Sequence, residues 1–155
     1  MKRGFTLLEL IVVIIILGIL ATLGFSQYTR MIERSRGAEA RTTLGTVRTQ
    51  AAAVWIERNS GGAAPTIAAN TFTDDQVGIG AAAGQLPNSC AAASSGAYFF
   101  SYGIAQNAGN NGFVATATRC TVATSKAPVG PSATTLNLTT NFAAGTDTWA
   151  GTGGY

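Results

Sequence analysis

The sequence predicts an α+β chain: one long N-terminal α-helix, apolar in its first half and amphipathic in its second, packed on a small antiparallel β-sheet head. Three observations predict it. An apolar run from Phe5 to Phe25 passes without a helix breaker into a patterned segment that reaches Arg58. At Asn59-Ser60-Gly61-Gly62 the composition shifts to Ala, Thr, Gly, Ser and Asn. Beyond that point, short aromatic and β-branched alternations are separated by turn signals. Of the 155 residues, about 55 go to the helix, leaving about a hundred for one small domain with a modest core.

The helix divides by chemistry. Phe5 to Phe25 is about 21 residues, and at about 1.5 Å rise each it is roughly 30 Å long, the thickness of a bilayer core. Residues 5–28 therefore read as a membrane-spanning segment, flanked by Lys2 and Arg3 before it and by Arg30, Arg34 and Arg36 after it. One carboxylate, Glu9, lies inside the run. A charge at a bilayer centre costs about 2.5–3.5 kcal/mol on insertion scales, so Glu9 is by default a functional residue whose partner is a cation brought from elsewhere.

Residues 29–58 form the amphipathic half, in which Ala40, Leu44, Val47, Ala51 and Val54 recur at helical spacing and make a stripe suited to a sheet. Gly18, Gly24, Gly37 and Gly45 each weaken a helix by about 0.8–1.0 kcal/mol relative to Ala and mark soft points.

Residues 59–155 form the head. Gly61 to Pro87 reads as a connecting loop with a short helical turn at Asp74-Asp75-Gln76-Val77. Tyr98-Phe99-Phe100-Ser101-Tyr102 and Phe113 to Thr118, joined across the turn signal Asn110-Asn111-Gly112, read as an antiparallel hairpin. Thr134 to Thr139 is a third strand, with Leu136 and Leu138 on one face. The tail from Gly145 to Tyr155, including Trp149, shows no assignable pattern.

The N-terminal residues Met1-Lys2-Arg3-Gly4, then Phe5-Thr6-Leu7-Leu8-Glu9-Leu10, resemble the class III signal of type IV prepilins and of the related type II secretion pseudopilins. The resemblance covers Lys2 to about Tyr28 and is limited to general architecture beyond residue 60. It implies the type IV pilin fold and a leader of residues 1–4. A prepilin peptidase would cut between Gly4 and Phe5, and the freed Phe5 amine would be N-methylated. It also implies that Glu9 pairs with the N-terminal amine of a neighbouring subunit and sets the filament register. Ser26 stands near the place where the best-known pilins carry a proline, so a proline kink is not implied, although Gly24 with Ser26 could still permit one. A secretory signal peptide would end after an apolar stretch of about 7–15 residues and would not contain Glu9. A simple anchor explains the span but neither Gly4-Phe5 nor Glu9.

Composition agrees with export. Removing Lys2 and Arg3 lowers the formal net charge from +3 to +1, so much of the basicity belongs to the leader. Only 11% of residues are charged, which suits a surface packed among copies of itself better than a cytosolic one. In an exported chain the pair Cys90 and Cys120 reads most simply as a disulfide, with two buried thiols as the alternative in a cytoplasmic domain. Asn137-Leu138-Thr139 is an N-glycosylation sequon, and the Thr/Ser-rich head offers hydroxyls for O-linked sugar; both stay open.

The chain has no histidine, which removes His-based triads and the commonest metal ligand and argues against an enzyme. Asp74, Asp75 and Asp147 lack the spacing of a calcium loop and read as turn caps, so no metal or cofactor is expected. Tyr98, Phe99, Phe100 and Tyr102 read as core rather than a ligand-stacking strip. Arg41, Arg48 and Arg58 raise nucleic acid as a partner, against the commoner solvated face or intersubunit ion pairs.

The leading function is thus a structural subunit of a type IV pilus filament, resident in the inner membrane and then at the cell surface. Its partners would be copies of itself, the prepilin peptidase and, indirectly, the inner-membrane assembly platform and its ATPase motor. The alternatives are a periplasmic pseudopilin of a type II secretion system and a membrane-anchored binding domain. Motility, adhesion and DNA uptake are not distinguished.

Overall fold

The computed structural model describes residues 5–59, 74–82, 84–91, 98–107, 109, 111–121 and 134–152. The leader 1–4, most of the expected loop 61–73, Asn110 and the last residues of the tail lie outside them. By contacts the chain forms two compact units, Met1–Ser35 and Arg36–Tyr155.

Helix α1 runs from Leu7 to Asn59, close to the expected Phe5–Arg58. In the first unit it is bare: the large apolar side chains from Phe5 to Met31 are all exposed. Polar groups in this stretch are folded back on the helix. The hydroxyls of Thr22, Ser26 and Thr29 donate to the carbonyls of Ile19, Leu23 and Ser26 at 2.7, 3.0 and 3.0 Å. A hydroxyl satisfied in this way can enter hydrocarbon without leaving a donor unpaired.

In the second unit α1 packs on a sheet. Ala40, Leu44, Val47 and Ala51 are fully buried, and Val54 is half-buried against the same core. They meet the inner face of a four-stranded antiparallel sheet made of β3 (Phe100–Gln106), β4 (Gly112–Arg119), β5 (Thr135–Asn141) and β6 (Thr146–Gly151), in that spatial order. Alternation along the strands selects that face: Phe100 and Tyr102, then Phe113, Ala115 and Ala117, then Leu136 and Leu138 point at the helix. Trp55, Phe142 and Phe113 close one end of the core, with ring centroids 5.2 and 5.6 Å apart along the series.

The expected hairpin is present, with Phe100 opposite Arg119 and Gln106 opposite Phe113. Its first strand begins and ends later than expected; Tyr98 and Phe99 pack beside the core, and the Phe99 carbonyl still accepts from the Cys120 amide at 3.0 Å. Gly112 opens β4 where an added Cβ would run into the backbone of Thr140, so the residue is required by close approach. Two elements were not anticipated. The segment assigned to loop holds a 3-10 turn at Asp74–Val77, where a turn was expected, and then a two-residue parallel pair, β1 (Ile79–Gly80) with β2 (Leu86–Pro87). The unassigned tail forms β6, reached through a turn with Gly145 at φ 65°.

The two sheet edges differ. At β3 the Ile104 amide donates to the Asp74 carboxylate at 2.9 Å, which caps an edge donor. At β6 every residue is exposed, and the strand is tied to the helix by an Arg48–Asp147 ion pair of 2.7 Å and a Thr140 hydroxyl donating to Asp147 at 2.8 Å. Desolvation works to raise the Asp147 pKa, but its hydrogen bonds to Arg48 and Thr140 and the Arg48 charge outweigh it and hold it below the usual carboxylate value. A depressed folded-state pKa contributes stability that is present above the unfolded value, near pH 4, and lost as pH falls through the folded one. Asp147→Asn is therefore expected to lower the head's unfolding midpoint at neutral pH by the equivalent of about 1 kcal/mol or less, given its partial exposure. In denaturant melts across pH, that difference should shrink and be lost as pH falls below the unfolded value, near 4; an unchanged gap in acid contradicts the ion pair.

Cys90 and Cys120 are joined, with Cα atoms 5.4 Å apart. The bond fastens the segment after β2 to the end of β4 and encloses a sequence separation of 30. Loop-closure entropy alone gives such a link about 3–4 kcal/mol. The double variant Cys90→Ser/Cys120→Ser should lose about that much in urea unfolding, and a loss below about 1 kcal/mol would show that the closed loop is not what the bond constrains.

Candidate functional site

The residues with the strongest functional signal lie at the start of α1. Thr6 precedes the first helical residue and acts as its cap: its hydroxyl accepts from the Glu9 amide at 3.3 Å, and its carbonyl accepts from the Leu10 amide at 3.3 Å. The Glu9 carboxylate returns over the same turn, accepting from the Thr6 hydroxyl at 3.5 Å. Thr6-Leu7-Leu8-Glu9 thus has the Thr-x-x-Glu spacing of a capping box, a signal present in the sequence but not used in reading it. Phe5, immediately outside the cap, is 76% exposed. Gly4 lies outside the described residues.

This geometry holds a carboxylate beside the helix start. A carboxylate in the first turn also sits at the positive end of the helix dipole. Glu9 contacts no cation among the described residues, and the large apolar side chains around it, from Leu7 to Ile16, are exposed. The end of α1 therefore presents an apolar sleeve with a single acidic group, which is a surface made to be covered. By length and composition α1 is able to cross a membrane, and none of its most apolar stretch is buried inside the chain.

The other candidate residues are structural in their placement. Tyr102 is buried in the core, and burial, with smaller contributions from Glu39 and Tyr98, pushes its phenol up to about 12. It stays protonated at any physiological pH. Tyr98 packs edge-on to Tyr102 at 6.2 Å. Phe99 is flanked by cations, the Arg36 and Arg119 guanidinium carbons lying 4.8 and 5.7 Å from its ring centre. Arg119 is buried at the end of β4 and donates to the Cys120 carbonyl at 2.8 Å, which ties the disulfide to the strand end. That buried arginine was not anticipated, although it continues the alternation of Phe113, Ala115 and Ala117 onto the core face.

Each of the three head carboxylates has a protein partner. Asp74 caps β3, Asp75 accepts from the Gln85 side-chain amide at 3.2 Å, and Asp147 holds β6. No group of three or more His, Cys, Asp or Glu with metal-site geometry occurs among the described residues. Arg48 is taken by Asp147, and Arg41 lies 5.9 Å from the Trp149 ring, while the side chain of Arg58 lies outside the described residues. Asn137 sits in the middle of β5, between Thr116 of β4 and Ala150 of β6, half-buried on the sheet face turned away from the helix.

Comparison with known proteins bears on the same end of the chain. Residues 1–25 match the family described as "Prokaryotic N-terminal methylation motif". Three curated proteins described as "Type IV major fimbrial protein FimA", from Dichelobacter nodosus, are each 41% identical over 49 residues. The matched stretch covers 32% of this chain and 31% of each relative, so the similarity spans about a third of their length. No solved structure shows significant similarity.

Proposed function

We propose that this chain is a type IV pilin, a structural subunit of a surface filament assembled through its N-terminal helix. The single observation that carries the proposal is the N-terminal methylation motif on a helix whose apolar residues are uncovered from Phe5 to Met31. The fold agrees: one long helix with a four-stranded antiparallel sheet is the α+β arrangement expected of the family.

The mechanism follows from the residues. Residues 5–28 hold the precursor in the inner membrane, where the apolar sleeve is covered by lipid. Cleavage after Gly4 would free the Phe5 amine, and methylation would leave it a cation. In the filament the sleeve would pack against copies of itself, so the apolar surface passes from lipid to protein without facing water. Glu9, preset in the first turn by Thr6, would meet the Phe5 amine of a neighbour. At low dielectric that pair offsets the burial of both charges and favours one axial register over others. Residues 29–58 and the head from 59 onward would line the outside, with the disulfide keeping the small domain folded.

The test is to label sheared surface filaments with an antibody to the head. Labelled fibres that disappear when this chain is deleted are expected. A chain that stays with the cell envelope, cut but never in fibres, would favour the pseudopilin alternative. Arg48 is paired with Asp147 and Arg41 lies over the Trp149 ring, so neither favours nucleic acid as a partner.

A further inference from the structure

We propose that Arg30 and Arg34 form a docking site for the phosphate of anionic phospholipid headgroups in the leaflet facing away from the leader, fixing the depth of the chain before assembly. The inference rests on the membrane-resident stage of the proposed function and not on the filament.

Depth comes first. At about 1.5 Å per residue, Arg30 is roughly 37 Å along α1 from Phe5, and Arg34 roughly 43 Å. The hydrocarbon core is about 30 Å thick and the bilayer with headgroups about 40–45 Å. With Phe5 at the start of the hydrocarbon, a typical tilt of about 20° brings the Arg30 α-carbon to about 35 Å, in the far headgroup layer, and the Arg34 α-carbon to about 41 Å, just outside it. Their long side chains reach the phosphate plane from either side of it.

Chemistry and availability agree with depth. Residues i and i+4 share a helix face, so the two guanidinium groups act together. Each is exposed, and neither has an ion-pair partner among the described residues. Glu33, the carboxylate next in sequence to Arg34, is half-buried and engaged in contacts of its own. Two exposed cations on the far side of a span also run against the positive-inside bias, so their placement calls for a compensating anion. The planar guanidinium matches a phosphate in two parallel hydrogen bonds, and the exposed Tyr28 and Met31 beside the pair suit the hydrocarbon–headgroup boundary. The complementary group at that depth is a lipid phosphodiester bearing net negative charge.

The test uses the full chain in vesicles of phosphatidylcholine with a minority of phosphatidylglycerol, reading the association of spin-labelled forms of the two lipids by electron spin resonance. The wild type should prefer the anionic lipid by up to roughly 25-fold, about fivefold from each arginine near such a surface, and salt should weaken the preference. Arg30→Gln/Arg34→Gln should bring it close to one, each single variant should fall between, and Arg30→Lys/Arg34→Lys should retain most of it. Arg41→Gln, farther along α1 in its amphipathic half, should change nothing. Protease protection checks insertion, and the single variants carry the test if the double one does not insert. No preference in the wild type, or the same preference in the Gln variants, overturns the proposal. Neither result depends on whether the chain forms filaments.

Discussion

Glu9→Ala is expected to leave the chain cut and methylated in the membrane while lowering the yield of surface filament by tenfold or more. The magnitude follows from the pair it breaks. Removing one partner of a buried ion pair leaves the other charge uncompensated, at about 3–5 kcal/mol per contact. The contact would recur at every subunit. The helix start itself should survive, because the Thr6 hydroxyl accepts from the backbone amide of residue 9 and not from its side chain. Glu9→Gln separates charge from shape. It preserves the size of the side chain and its reach toward Thr6, yet supplies no negative charge, so it should fail as well. Quantifying sheared filament beside processed chain in the membrane checks both variants, and wild-type yield from Glu9→Gln would remove the ion pair as the source of register.

The second large effect is at Gly4. Gly4→Leu should abolish cleavage almost entirely, with full-length chain accumulating in the membrane and no filament outside. A peptidase must bring the scissile backbone against its catalytic groups, and a residue without a Cβ permits the closest approach. An uncut chain has no free Phe5 amine and keeps Lys2 and Arg3 next to the span, so it would lack the partner proposed for Glu9. Immunoblots resolving the small size difference decide the matter. Mature-length protein from Gly4→Leu would place the cut elsewhere.

Much of this architecture was legible in the sequence because its strongest signals are periodic. The step of four and three through Ala40, Leu44, Val47 and Ala51 reports a helix face, and all four are buried. The alternation of Phe113, Ala115 and Ala117 and of Leu136 and Leu138 reports a sheet face in the same way. The strand β6 was not legible for the complementary reason. It is an edge strand exposed on both faces, and Thr146-Asp147-Thr148-Trp149-Ala150-Gly151 carries no alternation for burial to impose. The pair β1–β2 was missed because two residues cannot show a period. At the N-terminus the residue types alone singled out Glu9, since a carboxylate in an apolar run has few explanations. Its hold on Thr6 was also written there, as Thr-x-x-Glu ahead of an apolar run. Arg119 continues the alternation of Phe113, Ala115 and Ala117, so its face was legible too; what the sequence did not show is how a charged group is satisfied there, by the Cys120 carbonyl and the Phe99 ring.

The most direct measurement is the intact mass of the protein sheared from the surface of cells that make it. If the chain is a processed pilin, the dominant species begins at Phe5, carries one added methyl group, and is two hydrogens lighter than the reduced chain because Cys90 and Cys120 are joined. Any further added mass would reveal modification of the head. A chain found only in the membrane with Met1–Gly4 still attached would contradict the filament reading outright.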